Sequence, residues 1–168
     1  MTGLNFDIRP MVSNDLGRIA KIETELFPDP WPMQSFRDSL KNPTGGGFVA
    51  TSGNRSGESI IGYCLYLHAP GETTLTNIAV RKKYQKMKVG VSLLKTLEDE
   101  ALQNGSDMVL LEARESNETA ILFYESKGYY KIYKRKNYYN SPRESAVVMA
   151  HIINSGISSE SAPEPLKV

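Results

Sequence analysis

LEARESNETAILFYESKGYY, residues Leu111–Tyr130, sets a charge where a core strand wants none. Met108-Val109-Leu110-Leu111 leads into Glu112 without a turn signal, so MVLLEAR reads as one strand carrying a carboxyl near its end. Its nearly continuous apolar run predicts burial on both faces, as in a parallel pairing. A carboxyl buried without partners is costly, so it implies either a compensating partner or a chemical task. Ser116 or Asn117 then stands where a helix cap belongs, and the helix runs to about Lys127, with Gly128 as its stop. Tyr124 falls on that helix, twelve residues after Glu112. YYKIYKRKNYY and ESAVVMAHII follow as two further strands.

Upstream, NFDIRPM alternates apolar and polar residues and predicts a first strand. Ser13 is placed as an N-cap ahead of a helix from about Asn14 to Leu26, in which Leu16, Ile19, Ala20, Glu23 and Phe27 recur near helical spacing. FPDPWP stops that helix, because prolines cannot continue it. MQSFRDSL reads as a second short helix ending before NPTGGG. GFVATS, SIIGYCLYLH and ETTLTNIAV read as strands. In VSLLKTLEDEALQNG, Val91, Leu94, Leu97, Glu98 and Ala101 lie near one helical face, and Gly105 marks the end. The strand–helix–strand unit in the middle predicts a parallel neighbour pair joined by a right-handed crossover. The flanking strands form antiparallel hairpins. The fold expected is an α/β (α+β) domain, a mixed sheet with helices on its faces. One domain spans residues 1–154, and the Ser-, Pro- and Glu-rich residues 155–168 read as a disordered tail.

A chain of 168 residues with formal net charge +1 fits one core and carries no global field toward nucleic acid or membrane. A single cysteine excludes an intramolecular disulfide and points to a reducing compartment. With no signal peptide and no apolar run of membrane-spanning length, the expected place is cytoplasmic and the expected state a monomer or small homo-oligomer. Cys64 reads as a small core side chain, and His68 and His151 as ordinary strand residues. No Cys/His cluster predicts a metal.

VRKKYQKMKVG joins a strand to a helix and holds Arg81, Lys82, Lys83, Lys86 and Lys88. Free N–H groups at a helix N-terminus favour a bound phosphate, and lysines beside them strengthen the pull. The same turn is also read as a solvated basic loop. A nucleic-acid reading is weakened by the near-zero net charge, and KIYKRK is the only rival basic cluster.

FPDPWP before a helix, TLTNIAV before the basic turn, LEARESNETAILFYESKGY, and KNYYNSPRESAVVMA occur in an order that resembles the GNAT acetyltransferases. Within them the chain is similar to RimI-like and archaeal protein N-terminal acetyltransferases over about Ile8 to Ile153. The resemblance implies the GNAT fold, about seven strands with about four helices. It also implies acetyl-CoA as cosubstrate, its pantetheine arm between Thr76–Val80 and Met108–Arg114. Backbone groups of Ile78, Ala79 and Val80 would pair with that arm. The pyrophosphate would sit on Gln85, Lys86, Met87, Lys88, Val89, Gly90 and Val91, and Asn117 would cap its helix and touch the cofactor. This sequence departs from the family pattern at Lys88, where glycine is usual; glycine reaches positive φ without strain.

Acetyl transfer to an amine needs a neutral amine, a polarised thioester and a proton for the leaving thiolate. A reference α-amine has a pKa of about 7.7–8.0 and a lysine about 10.4, so an N-terminus needs only a modest base. Glu112 fits that base, with burial raising it toward the working range, and Tyr124 fits the acid. The resemblance gives the matching Glu and Tyr these roles and adds Tyr124 to the cofactor contacts. Two plainer readings stay open: Glu112 as the ion-pair partner of a core-edge arginine or lysine, and Tyr124 as a packing residue. For the acceptor, Phe27, Pro28 and Trp31 make a stiff loop, and Tyr138 and Tyr139 lie on the late hairpin. The resemblance sets these two segments at the peptide entrance; for Phe27 a staple at the sheet edge is the alternative. The partner expected is a protein or peptide N-terminus, a ribosomal protein or many nascent chains, with no membrane and no direct nucleic acid. A lysine, polyamine or other small-molecule amine is the competing acceptor, and a non-catalytic CoA-binding module the third reading.

Overall fold

The computed structural model describes residues 4–53, 57–156 and 162–166. Strands are β1 (Asp7–Pro10), β2 (Gly45–Ser52), β3 (Ser59–Ala69), β4 (Glu72–Val80), β5 (Met108–Arg114), β6 (Tyr130–Asn140) and β7 (Arg143–Ile152). Helices are α1 (Leu16–Leu26), α2 (Met33–Lys41), α3 (Val89–Gln103) and α4 (Glu118–Glu125). The seven strands form one mixed sheet in the order β1-β2-β3-β4-β5-β7-β6. Strand number, helix number and mixed character are those expected. Among the described residues no helix is long and apolar enough to cross a membrane. The chain gathers into two compact units, Met1–Leu67 with Leu75–Glu100, and His68–Thr74 with Ala101–Val168.

In the first unit, Leu16, Ile19 and Ile22 of α1 are buried with Phe36 of α2, Val49 of β2, and Ile60, Tyr63 and Leu65 of β3. Their spacing along α1 makes one apolar stripe, and each buried aliphatic side chain stabilises by roughly 1.5–3 kcal/mol. β1 and β2 pair antiparallel with Ile8 opposite Ala50, and β2 and β3 pair antiparallel with Val49 opposite Tyr63. Two sequence expectations are corrected here. Ser13 is not the cap of α1: it opens a 3-10 turn, Ser13–Asp15, and the Asp15 carboxylate accepts the Val12 N–H at 2.9 Å. β2 also starts two residues before the GFVATS read from the sequence, for Gly45 and Gly46 belong to it. A Cβ on Gly46 would lie 2.5 Å from the Tyr66 hydroxyl, so a side chain there would have to displace the end of the Tyr66 ring.

α3 starts at Val89, and its buried residues are Val89, Leu93, Leu94, Leu97 and Ala101, with Val91 and Glu98 turned further out than the sequence suggested. Gly105 ends it at φ +77°, with Ser106 N–H donating to Ala101 O at 2.9 Å.

In the second unit β5 pairs antiparallel with β7, placing Glu112 opposite Val148, and β7 pairs antiparallel with β6. β5 is not buried equally on both faces. Val109, Leu111 and Ala113 are buried, while Met108, Leu110, Glu112 and Arg114 are only half-buried. The period of two puts Glu112 on the more open face. Asn117 caps α4 through Oδ1, which accepts the Ala120 N–H at 3.2 Å, and Gly128 follows the helix at φ +91°. Among the described residues beyond Asn154, Pro163 O accepts the Tyr130 hydroxyl at 2.9 Å and the Leu166 N–H donates to Lys131 O at 2.7 Å. Residues 157–161 and 167–168 of the tail expected to be disordered lie outside the described residues.

Candidate active site

Site residues named from the sequence fall in both units. In the first unit β4 delivers Ile78, Ala79 and Val80 to the basic turn. The Arg81 N–H donates to Ile61 O at 2.9 Å, which fixes the exit from the strand. Gln85 folds back and donates its amide to Val80 O at 2.9 Å, so that carbonyl is already engaged by the turn. Lys86 and Lys88 both hold left-handed backbone, φ +61° and +67°. These two residues wind the chain tightly ahead of α3, and the side chains of Lys86, Met87 and Lys88 are exposed. A left-handed turn presents successive N–H groups outward, and the start of a 15-residue helix adds its unpaired N–H groups and dipole. With two exposed ammonium groups beside them, these donors fit a phosphate-bearing ligand such as the pyrophosphate of CoA.

The loop after α1 carries the other candidates of this unit. Phe27 and Trp31 are half-buried against the core, Pro28 is exposed, and the Trp31 ring meets Phe36 at 5.6 Å. Beside the loop a depression of about 480 Å³ is lined by Glu25, Leu26, Arg81, Lys82, Lys83 and Tyr84. Arg81 pairs there with Glu25 at 3.6 Å. Nothing in the chain order pointed to this depression, since its two walls are more than fifty residues apart.

In the second unit Glu112 is 24% exposed and forms an ion pair with Arg135 of β6, 2.9 Å from Nη1 to Oε1. The partner that sequence reasoning left open is therefore Arg135. The same guanidinium lies over the Tyr138 ring, 5.4 Å from its centroid. A hydrogen bond to Glu112, followed by burial, pushes the Tyr138 phenol up. Burial, then the Glu112 charge, does the same to Tyr139. Both hydroxyls thus stay protonated donors across the neutral range. Neighbouring strand residues ordinarily point to opposite faces, yet the Tyr138 and Tyr139 rings meet edge to face at 5.1 Å. The register of β6 on β7 shifts between Arg135 and Tyr139, with Asn137 at φ +54°. That bulge brings both tyrosines together.

Arg114, the arginine of the Leu-Glu-x-Arg motif, ties this hairpin down. It donates to Glu144 at 2.9 Å, to Ser141 O at 3.1 Å and to Pro142 O at 3.3 Å, and its guanidinium covers the Tyr139 ring at 4.1 Å. Its place in LEARESN gave no sign of this task, because Glu144, Ser141 and Pro142 lie about 30 residues further on. Tyr124 is buried, its ring against Phe123 at 5.3 Å and Tyr129 at 5.6 Å. His68 Nδ1 meets Thr73 Oγ1 at 2.7 Å, and Thr73 meets buried Ser106 at 2.7 Å.

Residues 16–129 match the model of the acetyltransferase (GNAT) family. The [ribosomal protein bS18]-alanine N-acetyltransferase of Escherichia coli K12 is 32% identical over 145 residues, covering 85% of this chain and 95% of that protein. The crystal structure of the ribosomal-protein-S18-alanine N-acetyltransferase from Escherichia coli superposes with a TM-score of 0.81 at 30% identity, over 94% of this chain and 99% of that one. An uncharacterized protein of Mycobacterium leprae, ML0378, is 34% identical over 141 residues; the match takes in 80% of this chain but only 37% of that protein.

Proposed function

The chain belongs to the GNAT acetyltransferase family, and from that premise we propose that it acetylates the α-amine of protein N-termini. It has the GNAT fold, is an N-acetyltransferase, and takes acetyl-CoA as cosubstrate. The observation that carries the finer reading is the near-full-length likeness to a ribosomal-protein-alanine N-acetyltransferase. A ribosomal protein N-terminus beginning with alanine is the first acceptor to test, and the cytoplasm is where such acceptors are made.

Acetyl-CoA, when bound, supplies the acetyl group as an activated thioester. In the first unit Ile78, Ala79 and Val80 hold its arm, and the turn Gln85–Val91 holds its phosphates by N–H groups and by the charges of Lys86 and Lys88. Phe27, Pro28 and Trp31 contact the acceptor. In the second unit Asn117 and Tyr124 add cofactor contacts, and Tyr138 and Tyr139 add acceptor contacts. Glu112 Oε accepts the proton that the amine gives up as its nitrogen bonds to the acetyl carbon. At pH 7 roughly a tenth of an α-amine is already neutral, so a carboxylate held by Arg135 and Tyr138 is base enough. Tyr124 Oη holds the proton for the sulfur as the carbon–sulfur bond breaks. The two transfers balance: one proton leaves nitrogen, one reaches sulfur.

The test uses acetyl-CoA with two peptides, one with a free alanine N-terminus and no lysine, one N-terminally blocked with internal lysines. Acetylation of the first alone is expected by mass spectrometry. Glu112→Gln and Tyr124→Phe are each expected to lower kcat by about 10²–10⁴ with little change in either KM. Acetylation of the blocked peptide alone would transfer the reading to a lysine or small-amine acceptor.

A further inference from the structure

α1 buries a stripe of Leu16, Ile19 and Ile22, and the next residue of that face is Glu23, 2% exposed. A leucine would be cheaper there, because a buried carboxyl loses its hydration and must be repaid by hydrogen bonds. Buried Asp15, by contrast, is paired with Arg9 and Arg18, both at 2.8 Å. Among the described residues no lysine or arginine pairs with Glu23. Three neutral donors satisfy it instead, each from a different element. The Trp31 N–H donates to Oε1 at 3.0 Å, the Tyr63 hydroxyl of β3 donates to Oε2, and the Asn77 amide of β4 lies 3.3 Å from both oxygens. Burial, then Glu23 itself, holds the Tyr63 phenol far above its ordinary range, so it remains a donor.

The loop served by this carboxyl has few other donors. Pro28, Pro30 and Pro32 bring no N–H. Glu23 takes both ends of what remains: its backbone carbonyl accepts the Phe27 N–H at 2.9 Å, and its side chain accepts that of Trp31. Asn77 immediately precedes Ile78, the first residue proposed to hold the cofactor arm. We propose that Glu23 is a positioning residue for the acceptor, clamping the Phe27–Trp31 loop and fixing it to β3 and β4. The inference rests on the reading of Phe27, Pro28 and Trp31 as acceptor contacts.

Trp31 is the sole tryptophan, so its fluorescence reports on this loop alone. Glu23→Leu removes the acceptor; Glu23→Gln keeps a carbonyl oxygen for the Trp31 N–H. In the full-length protein, Glu23→Leu is expected to raise the peptide KM by about tenfold and red-shift Trp31 emission, with acetyl-CoA KM within about twofold. Glu23→Gln is expected to restore both readings to near wild type. Should Glu23→Leu fail to accumulate, Tyr63→Phe removes one donor, and a peptide KM raised about threefold is expected. If the wild type acetylates the peptide and the variant that folds keeps its peptide KM, the inference is overturned. An equal loss in kcat with both KM values unmoved would also overturn it, as the sign of a purely structural role. A wild type that acetylates no N-terminal peptide overturns the functional reading itself, and the inference with it.

Discussion

Lys86 and Lys88 are unusual as single residues, because both hold a backbone conformation that costs an L-residue roughly 1–2 kcal/mol. At position 88 the family pattern has glycine, and the sequence alone made the departure visible. The strain was not visible, since φ belongs to the folded turn and not to the residue type. Lys88→Gly relieves that strain but adds backbone freedom to the unfolded chain, which returns about 0.5–1 kcal/mol. A net gain of about 0.5–1 kcal/mol in unfolding free energy is expected, read from denaturant midpoints. Removing the lysine charge should at the same time make acetyl-CoA binding less sensitive to added salt. Glu112 teaches the same lesson from the other side. A charge inside MVLLEAR was legible as a feature needing explanation, whereas Arg135, 23 residues later and on another strand, was not.

Elements were read well where apolar runs have hard stops. β4 and β5 have the bounds expected from ETTLTNIAV and MVLLEAR, and Asn117 caps α4 as expected. The failures have physical causes. Ser13 looked like a cap, but Asp15, with Arg9 and Arg18 on its carboxylate, took the Val12 N–H. The start of β2 was read two residues late, at Gly47, because the group lying closest over Gly46, the Tyr66 hydroxyl, is twenty residues away. The β6–β7 hairpin depends on Arg114, whose fork serves one carboxylate, two carbonyls and one ring together. Lysine has one point charge and no planar fork, so it cannot replace that set. Arg114→Lys is therefore expected to speed amide hydrogen exchange across residues 140–144 by about tenfold, without altering exchange in α1.

At the scale of the whole molecule, the strand order was legible only as a hairpin–crossover–hairpin pattern, because pairing across a sheet depends on partners far apart in sequence. Acid sensitivity is also a property of the whole. Burial pushes the Asp15 carboxyl up, but Arg9, the Val12 N–H and Arg18 more than offset it, and the net is downward. Arg9 likewise lowers Glu58, and Arg114 lowers Glu144. Carboxyls lower in the folded state than in the unfolded chain add stability that is complete above the unfolded values, about 4–4.5, and lost as pH falls through the folded ones. Urea midpoints are expected to be flat from neutral pH down to about 5 and to drop steeply below 4. Asp15→Asn should lower the neutral plateau by about 2–4 kcal/mol and flatten the acid slope. A last consequence follows from Cys64. It is the chain's only sulfhydryl, fully buried in β3, and burial pushes it up to about 12. The native protein therefore offers no reactive thiolate to an aromatic disulfide dye. Every equivalent of yellow colour released during turnover counts a molecule of free coenzyme, so the enzyme can be assayed at high concentration with a blank that stays near zero.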